Sequence, residues 1–341
     1  MRIAMVAPLA IKIPPEKYGG TEFVVYYLTE ELVKRGHQVD LYATGDSKTS
    51  ANLIPIVKKG IWDNKTMSAT DGTIKHLEMI YSVADNCKEY DVIHDHLGPL
   101  GTILSRFTKV PVISTLHVPN TASRRELYKL VEDSFHLVSI SDQQREAFPD
   151  LNYISTVYNG VPVDDYQFDD DPEGYLFFLG RFDQIKGAKE AIELAKRTDH
   201  KLIMAAKIED ERYYKKFVQP QIDGKQIIYI GEIGFKEKVK YLKKAKALVS
   251  LINWDEPFGL VVPEANACGT PVIVNPRGAF PELVKDGING FLTDNTIEGS
   301  IKVLNRIGEI DRQKCYQFTK DNFSIEKMVD GYEKVYKKVI G

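Results

Sequence analysis

Two segments in the second half of the chain place charged side chains beside glycines, each directly after an apolar run. In Gly180–Gly187, GRFDQIKG, Arg181 and Lys186 share one expected strand-to-helix loop. An arginine offers a planar fork of donors and a lysine a mobile point charge. Together they can neutralise a diphosphate and stabilise it as a leaving group. Cations at a helix start oppose the helix dipole, so two of them there need a reason. The second segment is Asp255–Gly269, DEPFGLVVPEANACG, in which Glu256 and Glu264 have seven residues between them. Pro263 suits the first turn of a helix, which puts Glu264 near that helix's N-terminus. The amides of Phe258, Gly259, Leu260 and Val261 fall between the two acids. Amides suit phosphate, and carboxylates accept hydroxyl hydrogens, so the loop fits a polyhydroxylated, phosphorylated ligand. The plainer accounts are a favourable charge at a helix start for Glu264 and a solvated loop acid for Glu256.

A third segment, Pro14–Glu22 (PPEKYGGTE), follows the first apolar run and opens a helix. Gly19 and Gly20 remove side chains where a helix N-terminus exposes unpaired N–H groups, which suits a phosphate or a sugar hydroxyl. A turn that simply needs glycine is an equal alternative. The segment is not GxGxxG, so a dinucleotide site is a poor fit.

The elements that must carry these loops alternate regularly. Ile3–Ala7, Gln38–Tyr42, Val92–His94, Val112–Thr115, His136–Ser139 and Ile154–Tyr158 have the pattern of buried strands. Phe23, Tyr27, Leu28 and Leu32 line one face of the first helix, which ends near Gly36. The acidic stretch Val163–Gly174 has little apolar periodicity and is expected to be a linker. The pattern then restarts with strands at Tyr175–Leu179, Lys201–Ala205, Gln226–Ile230, Ala247–Ile252 and Val272–Asn275, and a helix at Ala188–Lys196. Apolar strands separated by helices predict an α/β fold of two doubly wound, Rossmann-like domains, 1–163 and 164–324. Residues 325–341 form a terminal helix with Met328, Val329, Tyr332, Val335 and Tyr336 on one face. Ligands of open α/β sheets bind beyond the carboxyl ends of the strands. Two such domains with strand ends facing would enclose a cleft.

Composition narrows the function. The chain has 341 residues, 43% of them hydrophobic and 27% charged, enough for two packed cores. A net charge of −3 gives no basic field for nucleic acid. Cys87, Cys268 and Cys315 lie far apart, so neither a zinc site nor a disulfide framework is indicated, and a reducing cytosol fits. The N-terminal MRIAMVAPLA is too short for a signal peptide. No apolar stretch reaches the roughly 20 residues of a membrane helix, which leaves only peripheral contact with a membrane.

Four further signals carry less. His94 and His96 share a strand face and could co-ligate a metal, but no further ligand is evident by spacing. Asp169–Asp171 offers a D-x-D pattern, yet inside the acidic stretch. Lys236–Lys246 has the pattern of a solvated helix face. Arg124 and Arg125 could form a basic patch on an acceptor side.

With these residues in view, the chain resembles the family-4 glycosyltransferases, a retaining family of two-domain GT-B architecture. The family's E-x7-E signature matches Glu256–Glu264 in EPFGLVVPEANACGTPVI, and its GRxxxxKG element matches Gly180–Gly187. Gly19–Gly20, Thr115–His117 (TLH) and Asn159–Val161 (NGV) complete five elements in the expected order. The resemblance implies a nucleotide-diphosphate sugar as donor, UDP-linked first and GDP-linked second. It implies that Arg181 and Lys186 bind the diphosphate, Glu264 the ribose and Glu256 the transferred sugar, and that amides of Phe258 to Val261 contact sugar and phosphate. Gly19 and Gly20 would let their loop approach the diphosphate, and His117 would reach the sugar and support positive charge near the anomeric carbon, which makes it a catalytic residue beside Glu256, Lys186 and Arg181. The base would sit near Gly231, Glu232 and Ile233, and the last helix would cross back to the first domain. No metal and no cofactor is expected, the nucleotide sugar being a substrate. The acceptor stays open among glycan, lipid, small metabolite and protein. One departure is Arg277–Glu282, where Ala279 replaces the second glycine of a common pair, so no ligand contact is assigned there. A nucleotide-sugar epimerase, a sugar phosphorylase, or a binding protein without catalysis are the alternatives on the same fold.

Overall fold

The strands fall into two sheets, and every pairing between named strands is parallel. This is a computed structural model that describes residues 1–64 and 66–341. The chain forms two compact units. One comprises Met1–Pro15, Gly19–Gly160 and Ile325–Gly341, the other Glu16–Tyr18 and Val161–Ser324. Among the described residues, no helix is long and apolar enough to cross a membrane.

The first unit holds β1 (Arg2–Val6), β2 (Gln38–Thr44), β3 (Asn52–Val57), β4 (Val92–Asp95), β5 (Val112–Leu116), β6 (Phe135–Ser139) and β7 (Tyr153–Thr156). They lie in the order β3-β2-β1-β4-β5-β6-β7. Ile3 to Val6 and Val112 to Leu116 are buried throughout, as expected of strands covered on both faces. β3 has no counterpart among the predicted strands. It is a half-exposed edge strand carrying Pro55, and an edge tolerates a residue without an N–H. The first helix, Gly20–Lys34, buries Val24, Val25, Leu28 and Leu32, so its inner face is turned from the predicted Phe23–Tyr27 line.

The second unit holds β8 (Leu176–Phe182), β9 (Leu202–Ile208), β10 (Ile227–Tyr229), β11 (Ala247–Ser250), β12 (Val272–Val274) and β13 (Gly290–Leu292), in the order β10-β9-β8-β11-β12-β13. Both sheets therefore wind outward in both directions from their first strand. The stretch Val163–Gly174 is not a linker. The boundary ahead of it falls at Gly160–Val161, and the acidic stretch belongs to the second unit. Tyr166 is buried, Asp169 pairs with Lys244 at 2.9 Å, and the Glu173 N–H donates to the Lys244 carbonyl at 2.8 Å. Its charges meet a lysine rather than water alone, which composition could not reveal.

The last helix, Ile325–Ile340, completes the first unit. Met328, Val329, Tyr332, Val335 and Tyr336 are buried. Gly331 sits where a Cβ would lie 2.9 Å from Val157. At the rim, Arg35 bonds Asp330 at 2.8 Å, and His37 Nε2 meets Glu333 at 2.9 Å. Deeper, Tyr336 Oη lies 2.8 Å from His94 Nδ1, His94 Nε2 2.8 Å from Thr115 Oγ1, and Thr115 Oγ1 2.8 Å from Tyr332 Oη. A chain of fully buried polar groups is stable only when each has a partner. Tyr336→Phe removes one link and leaves a ring nitrogen of His94 unsatisfied. It should lower unfolding free energy by about 1–3 kcal/mol in urea melts.

His94 belongs to a buried row at the carboxyl ends of β4 and β5. Burial pulls the imidazoles of His94 and His96 well below their usual range and that of His117 down to about 4. Burial pushes the Asp95 carboxyl up to about 7, against donation from Ser114 and the backbone of Leu97 and Gly98. Unfolded histidines titrate near 6.5 and unfolded aspartate near 3.9. Below about pH 6.5 the three imidazoles bind protons only on unfolding, so stability is lost as pH falls. Asp95 acts oppositely, because its raised value contributes stability that is lost as pH rises through about 7. The three histidines outweigh the one acid, so the urea midpoint should fall between about pH 6.5 and 5. Asp95→Asn should steepen that fall, and an unchanged slope would contradict the assignment.

Candidate functional site

In the second unit the winding reverses between β8 and β11, and ligands of such sheets bind outside the strand ends at that reversal. The loops leaving these two strands are the ones richest in candidate residues. β8 runs on to Phe182, so Arg181 is a strand residue, in register with Lys207 of β9, and not part of the loop. Only Lys186 is a loop residue. The turn between them is built by Asp183, whose Oδ1 accepts the N–H groups of Ile185 and Lys186, each at 3.0 Å. Its Oδ2 lies 3.3 Å from the Arg181 guanidinium. Arg181 Nε is buried and has no hydrogen-bond acceptor among the described residues.

Gly187 ends the turn in the left-handed region (φ 75°) and caps the helix Ala188–Arg197. A Cβ there would lie 2.0 Å from the Leu251 carbonyl oxygen. Only glycine fits both constraints. The Asn253 N–H donates to the Ile185 carbonyl at 2.8 Å, so the loops after β8 and β11 are joined by their backbones.

This join puts Lys186 beside Glu256. The Lys186 ammonium donates to Glu256 Oε2, which also accepts the Trp254 indole N–H at 2.9 Å. The ammonium lies 4.7 Å from the centre of the indole ring. The lysine and glutamate side chains are 17% and 15% exposed, so this is not a water-screened surface pair. Arg277–Phe280 underlies the loop. A Cβ on Gly278 (φ 57°) would lie 2.2 Å from the Glu256 backbone nitrogen, and the Ala279 N–H donates to the Glu256 carbonyl at 2.9 Å. This segment, to which no ligand contact was assigned, supports the backbone of Glu256.

Phe258, Gly259 and Leu260 lead into the short helix Val261–Ala267, and Phe258 is buried. Glu264 lies in its first turn, as Pro263 predicts, and accepts from Lys238 at 2.5 Å. Lys238 is on the helix Phe235–Lys244, within the run expected to be a solvated face. It is only 13% exposed. Its position between Phe235 and Leu242, at helical spacing, was the available signal. The two glutamates thus each meet a different lysine. Gly231, Glu232 and Ile233 follow the edge strand β10, on the other side of β8 from β11. Gly231 has φ 83°, and its carbonyl accepts from Ala206 at 3.0 Å.

The remaining candidates lie in the first unit. Gly19 stands just before the helix Gly20–Lys34, where a Cβ would lie 2.7 Å from Ile11 and from Pro15. Its own loop therefore requires glycine. His117 follows β5, and its Nε2 lies 2.8 Å from His96 Nδ1 with the rings stacked. His94 uses both ring nitrogens on Tyr336 and Thr115. Arg124 bonds the Pro119 carbonyl and Arg125 pairs with Asp150 at 2.5 Å, so neither is an unengaged cation.

Comparison with known proteins agrees with the α/β fold. The model for "Glycosyltransferase Family 4" matches residues 18–165, and that for "Glycosyl transferases group 1" matches residues 165–321. An uncharacterized glycosyltransferase of Methanocaldococcus jannaschii is 28% identical over 291 residues, 78% of this chain and 81% of its own. A glycosyltransferase involved in avilamycin A biosynthesis superposes with a TM-score of 0.75 at 22% identity, covering 99% of this chain and 98% of that one. The Anabaena protein HepE, in complex with UDP and glucose, gives 0.78 at 18% identity, covering 99% and 100%. These structures share the GT-B fold. With family models spanning nearly its whole length, the chain belongs to glycosyltransferase family 4.

Proposed function

We propose that this glycosyltransferase moves a sugar from a nucleotide-diphosphate donor to an acceptor, with retention at the anomeric carbon and without a metal ion. The observation that carries this reading is the group Arg181, Asp183, Lys186 and Glu256, fixed where the sheet of the second unit reverses its winding. Arg181 and Lys186 take the diphosphate, and the unpaired Nε of Arg181 is a donor for it. Phosphate oxygens there gain charge as the sugar leaves, and fixed cations stabilise that change. Glu256 accepts a hydroxyl of the transferred sugar, and Glu264 accepts the ribose hydroxyls. Amides of Phe258 to Val261 approach the sugar and phosphate, and Gly231, Glu232 and Ile233 the base. A UDP-sugar is the first choice of donor, supported by the UDP and glucose bound to the similar Anabaena protein. A GDP-sugar is the second.

For the first unit the resemblance assigns the Gly19–Gly20 loop to the diphosphate. The resemblance likewise assigns His117 to the sugar. An imidazole that titrates near 4 is neutral at physiological pH, so it adds no positive charge beside a developing oxocarbenium ion. With no covalent nucleophile assigned, the acceptor attacks on the face the diphosphate leaves, and a departing phosphate oxygen takes the acceptor's proton.

Donor hydrolysis tests this before the acceptor is known. The wild-type chain should release UDP slowly from UDP-glucose, or GDP from GDP-mannose, and the sugar should appear first as the α-anomer by proton NMR. Lys186→Ala and Glu256→Ala should each lower the rate by about a hundredfold or more while the chain stays folded, with a lower melting temperature because each leaves the other charge of the pair uncompensated. Lys186→Ala should also weaken the free nucleoside diphosphate, whereas Glu256→Ala should spare it. Normal turnover in either variant, or first release of the β-anomer, would refute the scheme.

A further inference from the structure

Trp254 belongs to none of the sequence motifs, yet its side chain engages Glu256 directly. Its indole N–H donates to Glu256 Oε2 at 2.9 Å, the same oxygen that Lys186 engages. Both bonds fall on one oxygen, and among the described residues no hydrogen bond to Oε1 accompanies them. A carboxylate held by two donors on one oxygen cannot rotate freely, so the direction of the other oxygen is set. Trp254 is itself well placed to hold it. Its neighbour Asn253 donates through its backbone to the Ile185 carbonyl and through its side chain to Glu190 Oε1 at 2.9 Å. The Lys186 ammonium lies 4.7 Å from the centre of the indole ring, within cation–π range.

From this geometry we infer that Trp254 is a positioning residue that aims Glu256 Oε1 at the transferred sugar. The inference rests on the donor site proposed above and deepens it. Lys186 has two partners to serve, Glu256 and the donor diphosphate. When it turns to the diphosphate, the indole N–H is the donor that stays on Oε2 and keeps the carboxylate in place. The ring face beside the ammonium lets it move between partners without leaving a favourable electrostatic contact. Trp254 thereby favours the sugar part of the donor and is indifferent to the nucleotide part.

Trp254→Phe keeps the ring face and removes the N–H. Calorimetry should show UDP-glucose binding weakened about tenfold, the scale of one hydrogen bond to a charged group, and UDP binding changed less than about twofold. Should the chain prefer a GDP-sugar, GDP-mannose and GDP replace that pair. Trp254→Phe combined with Glu256→Gln should bind the donor no worse than Glu256→Gln alone, because the indole acts through the carboxylate. A merely structural tryptophan would instead lower the melting temperature, weaken nucleotide and nucleotide sugar alike, and add its effect to that of Glu256→Gln. Any of those results, with wild-type donor binding intact, would overturn the inference and leave the functional reading standing. If the wild-type chain bound no UDP- or GDP-sugar, the functional reading would fail and this inference with it.

Discussion

The candidate site depends on one close approach, that of Gly187 to the Leu251 carbonyl. A side chain at 187 would sit 2.0 Å from that oxygen, so any other residue would push the two loops apart. The approach lets Asn253 hydrogen-bond Ile185 and brings Lys186 within reach of Glu256. Residues 70 positions apart in sequence then form one charged group. The β8–β11 junction supplies the location, because parallel strands whose connections wind in opposite directions leave a gap between their loops. Gly278 and Gly259 extend the same device. Their positive φ angles and missing side chains let the Glu256 loop lie against Arg277–Phe280. The glycines of these motifs are thus conditions for the geometry of the charged residues, whatever they also do for a ligand.

The first unit is organised by a different constraint. Its sheet is closed over by a helix from the far end of the chain, and that helix brings two tyrosine hydroxyls into a buried region. Burying hydroxyls and imidazoles without partners is costly. The sequence of contacts Tyr336–His94–Thr115–Tyr332 meets that cost, and the stacking of His96 on His117 continues the row. His117 therefore has an orientation set by β4 and β5 rather than by a flexible loop. The neutrality that burial imposes on these rings follows from the same packing that fixes them.

The architecture was legible in the sequence because buried parallel strands are nearly uninterrupted apolar runs. Ile3–Ala7, Val112–Thr115 and Ala247–Ile252 could hardly be anything else. β3 and β13 were not, since edge strands carrying a proline or a glycine lack that pattern. The acidic stretch at Val163–Gly174 misled in the same way, because local composition does not show that Lys244 and a buried Tyr166 hold it down. In the site, the charged residues were legible by type and spacing, and Pro263 placed Glu264 correctly. What could not be read was pairing. Trp254 and Lys238 stand outside the motifs and become significant only when the fold sets them against Glu256 and Glu264. Arg181 moved from loop to strand because β8 extends through a glycine at 180, a residue that normally weakens a strand.

The two lysine–glutamate pairs bear on how recognition of a donor would be coupled. A half-buried carboxylate loses much of its hydration and needs a compensating charge or donor. Lys186 supplies this to Glu256, and Lys238 to Glu264. The two arrangements differ in what a diphosphate would do to them. Lys238 lies on a helix with its ammonium near the rings of Tyr166 and Phe235, which hold it beside Glu264. Lys186 sits in the turn after β8 and would be drawn toward phosphate. Glu256 would then keep only the indole N–H and would gain most from a sugar hydroxyl. The diphosphate and the sugar would therefore reinforce each other through one lysine. A nucleotide without its sugar would leave Glu256 short of a partner, which favours the intact donor over the spent one.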